Sequence, residues 1–72
     1  MTLLKSSIGE WRRMRNISQE KLAEACGVSR ATIIAWEQNP SIIKIGNLEK
    51  LERALNVDRD DIIFLPSDSK KG

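Results

Sequence analysis

Apolar residues recur along this 72-residue chain at helical spacing, and no run of β-branched or aromatic residues alternates with a period of two. The pattern predicts an all-α fold of five short helices. The first starts after Ser7, because Ser7 and Glu10 have capping-box spacing, and it ends near Asn16, a residue type that tolerates left-handed backbone. The second begins at Gln19 behind Ser18 as N-cap, and Gly27 supplies the positive φ that ends it tightly. Ser29 caps the third. The fourth runs from Ile45 or Gly46 to Leu55, with Leu48, Leu51 and Leu55 on one face. The fifth starts at Asp58, whose side chain can cap while Asp60 and Asp61 favour the positive end of a helix. Ile62, Ile63 and Phe64 follow, and Pro66 stops it, so residues 1–66 form one domain and residues 67–72 a disordered tail.

Residues 19–38, QEKLAEACGVSRATIIAWEQ, carry the most information. Leu22, Ala23, Cys26, Val28, Ile33 and Trp36 fall on inward positions of two helices joined by a tight turn, and Ala23 is small enough for the backbones to approach closely. The outward face of the second of these helices holds Arg30, Ala31, Thr32, Ile34, Ala35 and Gln38. It has no acid and is rich in small and apolar groups, whereas a merely solvated face is normally charged. An ordinary helical hairpin matches some of these positions. Their agreement all together favours a helix-turn-helix that docks on DNA.

The same residues carry a resemblance to a known family. Ile8, Trp11 and Arg12, then Ile17 to Ala23, then Gly27, Val28, Ser29, Ile33 and Glu37 resemble the lambda-repressor and Cro-like helix-turn-helix proteins, the XRE family. Leu48, Leu51, Ala54, Leu55, Asn56, Val57 and Ile62 look like that family's last two helices, so the resemblance covers residues 8–64. It departs from the family at Lys21, at Asn39 and across residues 40–46. The resemblance implies a compact lambda-repressor-like domain and a partly buried ion pair between Arg12 and Glu37 that ties the motif to its scaffold. Two unrelated surface charges are the alternative, and these contribute almost nothing to stability. It also implies a homodimer on two half-sites about 34 Å apart.

A recognition helix over residues 30–36 suits a major groove about 12 Å wide, with its first turn nearest the base edges. Arg30 is then the foremost base reader, able to donate twice to guanine O6 and N7, with a phosphate clamp as its competing role. Thr32 joins the base-reading set. Ala31, Ile34 and Ala35 offer contact with thymine methyl groups, and Ile34 has an equal alternative in packing against the fourth helix or a dimer partner. Gln19 and the first amides of its helix are assigned to phosphate, because a helix N-terminus carries unpaired donors and partial positive charge. Ser29 is placed with them, as are Ser18, Gln38 and Lys44, the last three by family resemblance. Arg13 and Arg15 fit either phosphate contact or a solvated face. A single module buries only roughly 600–1,000 Å², so Phe64 and Leu65 are a candidate dimer patch, with Ile62 and Ile63 assigned rather to the chain's own core.

Composition narrows the alternatives. The net charge is only +2, yet residues 1–44 carry seven basic and four acidic residues while residues 45–69 carry three and six, so the positive half holds the motif. A lone cysteine excludes an internal disulfide, and the absence of histidine leaves zinc without its usual ligand types, so no metal and no cofactor are expected. Cys26 reads as a small buried hydrophobe. No segment approaches the roughly 20 apolar residues needed to cross a bilayer, which points to a soluble, cytoplasmic protein without a membrane partner. Without histidine a serine nucleophile needs a lysine base, and no Ser and Lys are placed for it, so no catalytic residue is assigned. The leading expectation is a sequence-specific regulator of transcription on double-stranded DNA, most simply a repressor. The alternative is an antitoxin or DNA-targeting module using the same fold on a protein partner, either a toxin or a larger regulator.

Overall fold

The computed structural model describes residues 5–64, and each of its first three helices begins at a serine. These are α1 (Ile8–Met14), α2 (Gln19–Cys26) and α3 (Arg30–Gln38), followed by α4 (Ile45–Leu55). Ser7, Ser18 and Ser29 sit in extended backbone, and their Oγ atoms accept from the amides of Glu10, Lys21 and Thr32. Each bond satisfies one of the amides that a helix start leaves without a partner. At Ser7 the box closes, because Glu10 Oε1 accepts from the Ser7 amide at 2.9 Å. Left-handed residues close α2 and α4, Gly27 at φ 71° and Asn56 at φ 56°, and Asn16 at φ 58° follows the end of α1, whereas α3 ends at Asn39 with φ −143°.

α2 lies centrally, packed on both α3 and α4, while α1 backs onto α3. The core consists of Ile8, Trp11, Leu22, Ala23, Cys26, Ile33, Trp36, Leu51, Leu55 and Ile62. Val28, expected to face inward, is half-buried against it, and Leu48 is half-buried without joining it. Cys26 is 1% exposed, and burial pushes its thiol pKa up. Arg15 lies with its guanidinium 5.1 Å from the Trp11 ring centre and donates to the carbonyls of Leu55 and Asn56, so it closes the end of α4.

The expected fifth helix is replaced by a single 3-10 turn, Arg59–Asp61, after which Ile62 runs extended. Two forces explain the difference. The Asp58 side chain makes no capping bond; instead the Glu52 carboxylate accepts from the Arg59 amide at 2.8 Å and from its guanidinium at 3.1 Å. The following backbone is drawn into a parallel bridge with Ser6: the Ser6 amide donates to Asp61 O at 3.1 Å and the Ile63 amide to Ser6 O at 2.9 Å. Trp11 Nε1 adds a bond to Asp61 O at 2.8 Å. A helix this short has little cooperative gain to set against those bonds. The bridge buries Ile62 and leaves Ile63 39% exposed, so of the two only Ile62 serves the core as expected. Leu65 and the tail expected at residues 67–72 lie outside the described residues.

The hydrogen bonds from Arg59, side chain first and then backbone, hold the Glu52 carboxyl below its ordinary pKa of 4.5. A depressed carboxylate adds stability that is present above the ordinary value and is lost as pH falls through the folded one. Glu52→Gln is therefore expected to be less stable at neutral pH and to lose less on acidification below pH 4.5; parallel acid-unfolding curves would refute this. Gly27→Ala meets no atom within 4 Å, so its cost is conformational alone, about 1–2 kcal/mol. Thermal denaturation should register it as a clear drop, and an unchanged midpoint would mean that the turn relaxes.

Candidate nucleic-acid interface

α3 contains one acid, Glu37, and that residue is turned away from the outward face. Its Oε2 accepts from Arg12 Nε at 2.7 Å, with side-chain exposures of 16% for Glu37 and 13% for Arg12. Arg12 Nη1 also donates to the carbonyl of Ile17 at 3.0 Å, which pins the connection between α1 and α2. The second oxygen, Oε1, accepts from Gln19 Nε2 at 3.1 Å. Charge-assisted bonds of this kind are shorter and stronger than neutral ones, and a half-buried carboxylate needs them to offset its lost hydration.

With Glu37 withdrawn, the outward face of α3 is free of carboxylate. Arg30, Ala31 and Gln38 are exposed, and Thr32, Ile34 and Ala35 are half-buried, with Ile34 outside the core cluster. Thr32 Oγ1 lies 3.0 Å from Ser29 Oγ, so its hydroxyl is engaged with the helix cap and its methyl remains for contact. Of the residues assigned to phosphate, Ser18, Ser29, Gln38 and Lys44 are exposed and Gln19 is half-buried. Arg12, Ser18, Gln19, Glu20 and Arg30 line a shallow depression of about 370 Å³ at the start of α2. Lys44 is the N-cap residue of α4, with no side-chain cap bond. The unusual segment after α3 becomes a 3-10 turn at Pro40–Ile42, where proline supplies the fixed φ of a first helical residue.

Two comparisons bear on this geometry in sequence terms. A family model described as Helix-turn-helix matches residues 8–62. The chain belongs to the XRE-type helix-turn-helix family. An "Uncharacterized HTH-type transcriptional regulator" of Methanothermobacter thermautotrophicus is 38% identical over 72 residues, covering 94% of this chain and 100% of the relative.

Two features of this helix-turn-helix protein escape a reading of residue spacing. Arg15, weighed as a phosphate contact or a solvated charge, instead holds the end of α4. Arg30 and Gln19, expected to do separate work, are bonded to each other, with Arg30 Nε donating to Gln19 Oε1 at 3.2 Å. Phe64 is half-buried against the core, and Leu65 lies outside the described residues, so the candidate dimer patch is only partly in view. Among the described residues no helix is long and apolar enough to cross a membrane.

Removing either partner of the Arg12–Glu37 pair leaves the other short of a counter-charge. Arg12→Ala and Glu37→Ala are each expected to cost about 1–3 kcal/mol of stability, and the double variant less than their sum. Urea titration measures all three; unchanged midpoints in both single variants would mean that the pair contributes nothing.

Proposed function

We propose that this protein is a sequence-specific regulator of transcription that binds double-stranded DNA as a homodimer and acts in the cytoplasm as a repressor by occupying its site. The observation that carries the reading is the acid-free outer face of α3, whose one carboxylate is bonded inward to Arg12 and Gln19. Such a face can approach a polyanion without repulsion and present apolar groups to base edges. The relative named as an HTH-type transcriptional regulator supports the same reading.

In this reading Arg30, on the first turn of α3, reads a guanine through its terminal nitrogens, because Nε is already committed to Gln19. Ala31, Ile34, Ala35 and the Thr32 methyl supply apolar contact. Ser18, Gln19, Ser29, Gln38 and Lys44 hold phosphates around the rim. Ser18 Oγ accepts from an amide and keeps its proton to donate outward. The dimer patch is assigned to Phe64 and Leu65, with the exposed Ile63 beside them adding apolar surface.

Selection of bound duplexes from a random pool tests the reading. The expected product is two related half-sites on one face of the duplex, with log affinity falling linearly as log salt rises. A flat salt response would remove the DNA reading, and a lone unrepeated site would remove the symmetric dimer.

A further inference from the structure

Among the described residues the two most exposed large apolar side chains are Ile45, at 68%, and Ile42, at 50%, and they stand on either side of Lys44. A lone exposed isoleucine is ordinary, whereas a pair in so short a segment is an apolar projection that the core does not use. The backbone beneath them is held stiffly. Ile42 closes the Pro40–Ile42 turn with its amide donating to the Asn39 carbonyl at 3.2 Å, and Ser41 Oγ donates to Asn39 Oδ1 at 2.8 Å. Pro40 is buried, and Ile43, whose amide donates to the Pro40 carbonyl at 3.1 Å, packs against the core. Ile45 is the first residue of α4, fixed by the bond from the Leu48 amide to the Lys44 carbonyl at 2.9 Å. Isoleucine has few rotamers, so pressing either side chain onto a surface costs little entropy.

Their place beside the motif and their charge surroundings favour DNA as what they meet. With the first turn of α3 nearest the base edges, the far end of that helix and the turn after it lie at the wall of the major groove. That wall is the sugar–phosphate strand, beyond which the minor groove opens. Residues 38–48 contain no acid and one base, Lys44, so this segment approaches the strand without repulsion. A second copy of the chain is a poorer fit. A two-fold face centred here would set Lys44 against Lys44 of the copy, with no acid in residues 38–48 to receive either. Two side chains also fall far short of the roughly 800 Å² per partner that a stable protein interface buries. A wedge in the minor groove needs only one or two apolar side chains at a base step.

We propose that Ile42 and Ile45 form an apolar wedge that presses into the minor groove beside the α3 site, with Lys44 on the phosphate between them, and that this wedge bends the duplex. The inference rests on the reading of α3 as a helix docked in the major groove and adds a second kind of recognition to it. Apolar groups make no hydrogen bond to a base edge, so what they read is how easily a step opens. Pyrimidine–purine steps, TA and CA/TG, open most easily, and the protein therefore prefers one at a position that α3 does not reach.

The test measures bending by energy transfer between labels at the duplex ends, and unstacking by an adenine analogue that brightens when it leaves the stack. Selected sequences and thermal denaturation accompany both, for the full chain and for Ile42→Ala/Ile45→Ala, Ile42→Leu/Ile45→Leu and Lys44→Ala. The full chain should bend its selected duplex and brighten the analogue at the step beside the half-site. The double alanine variant should melt as the full chain does, because both side chains stand in solvent, and should keep the base preference read by α3. It should lose most of the bend and the step preference, and bind about three- to tenfold more weakly. The double leucine variant should retain the bend, because leucine is a wedge of similar size. Lys44→Ala should lower the salt slope by about one, and an unchanged slope would remove this segment from the strand. If the full chain leaves the duplex straight, or the double alanine variant bends and selects as the full chain does, the wedge is overturned. If that variant instead abolishes self-association of the chain without DNA, measured by sedimentation, the face belongs to a second copy and the wedge is overturned as well. Failure of the underlying reading looks different: the full chain then shows no salt-dependent binding to any duplex.

Discussion

The fold turns on one half-buried carboxylate. Glu37 extends from the end of α3, meets Arg12 of α1 and Gln19 of α2, and lies beside Gly9, where an added Cβ would stand 3.5 Å from the carboxylate. A charge this far from water is costly unless its lone pairs are filled, and the two helices supply the donors that fill them. The net gain in stability from such a pair is small compared with its effect on geometry. It fixes how far α3 is turned relative to α1 and α2, and so which residues of α3 meet solvent. It also removes the only acid from a helix whose outer face has no use for one.

Helix starts and turns were legible because they follow from single residues. Ser7, Ser18 and Ser29 announce starts, while Gly27 and Asn16 announce the end of a helix or the turn after it, since their backbone preferences act within a few positions. The expected fifth helix gives way to a 3-10 turn for the opposite reason. Asp58, Asp60 and Asp61 look locally like a helix start, but Glu52 and Ser6 compete for the same backbone groups from elsewhere in the chain. Side-chain relays are harder still to read. Arg30 and Gln19 lie 11 positions apart and Gln19 and Glu37 18 apart, so no sequence period brings them together, and only the crossing of α2 and α3 does. Arg15 hid in the same way, because its partners are carbonyls, which every residue has.

Closure of the chain ends and presentation of α3 are carried by different indoles. Trp11 spans α1 and the Arg59–Asp61 turn through its N–H, with Arg15 lying over its ring, whereas Trp36 is buried on the inner side of α3. The sequence holds no tyrosine and only these two tryptophans, so its near-ultraviolet emission comes from two emitters with distinct surroundings. One is polarised by a cation and a carbonyl at the seam where residues near both ends of the described chain meet; the other sits in an apolar setting behind the outer face of α3. The protein thus contains an optical gauge of its own. Loosening of the terminal seam and displacement of α3 alter different chromophores, and single replacement of either indole by phenylalanine leaves a spectrum that reports on one event alone.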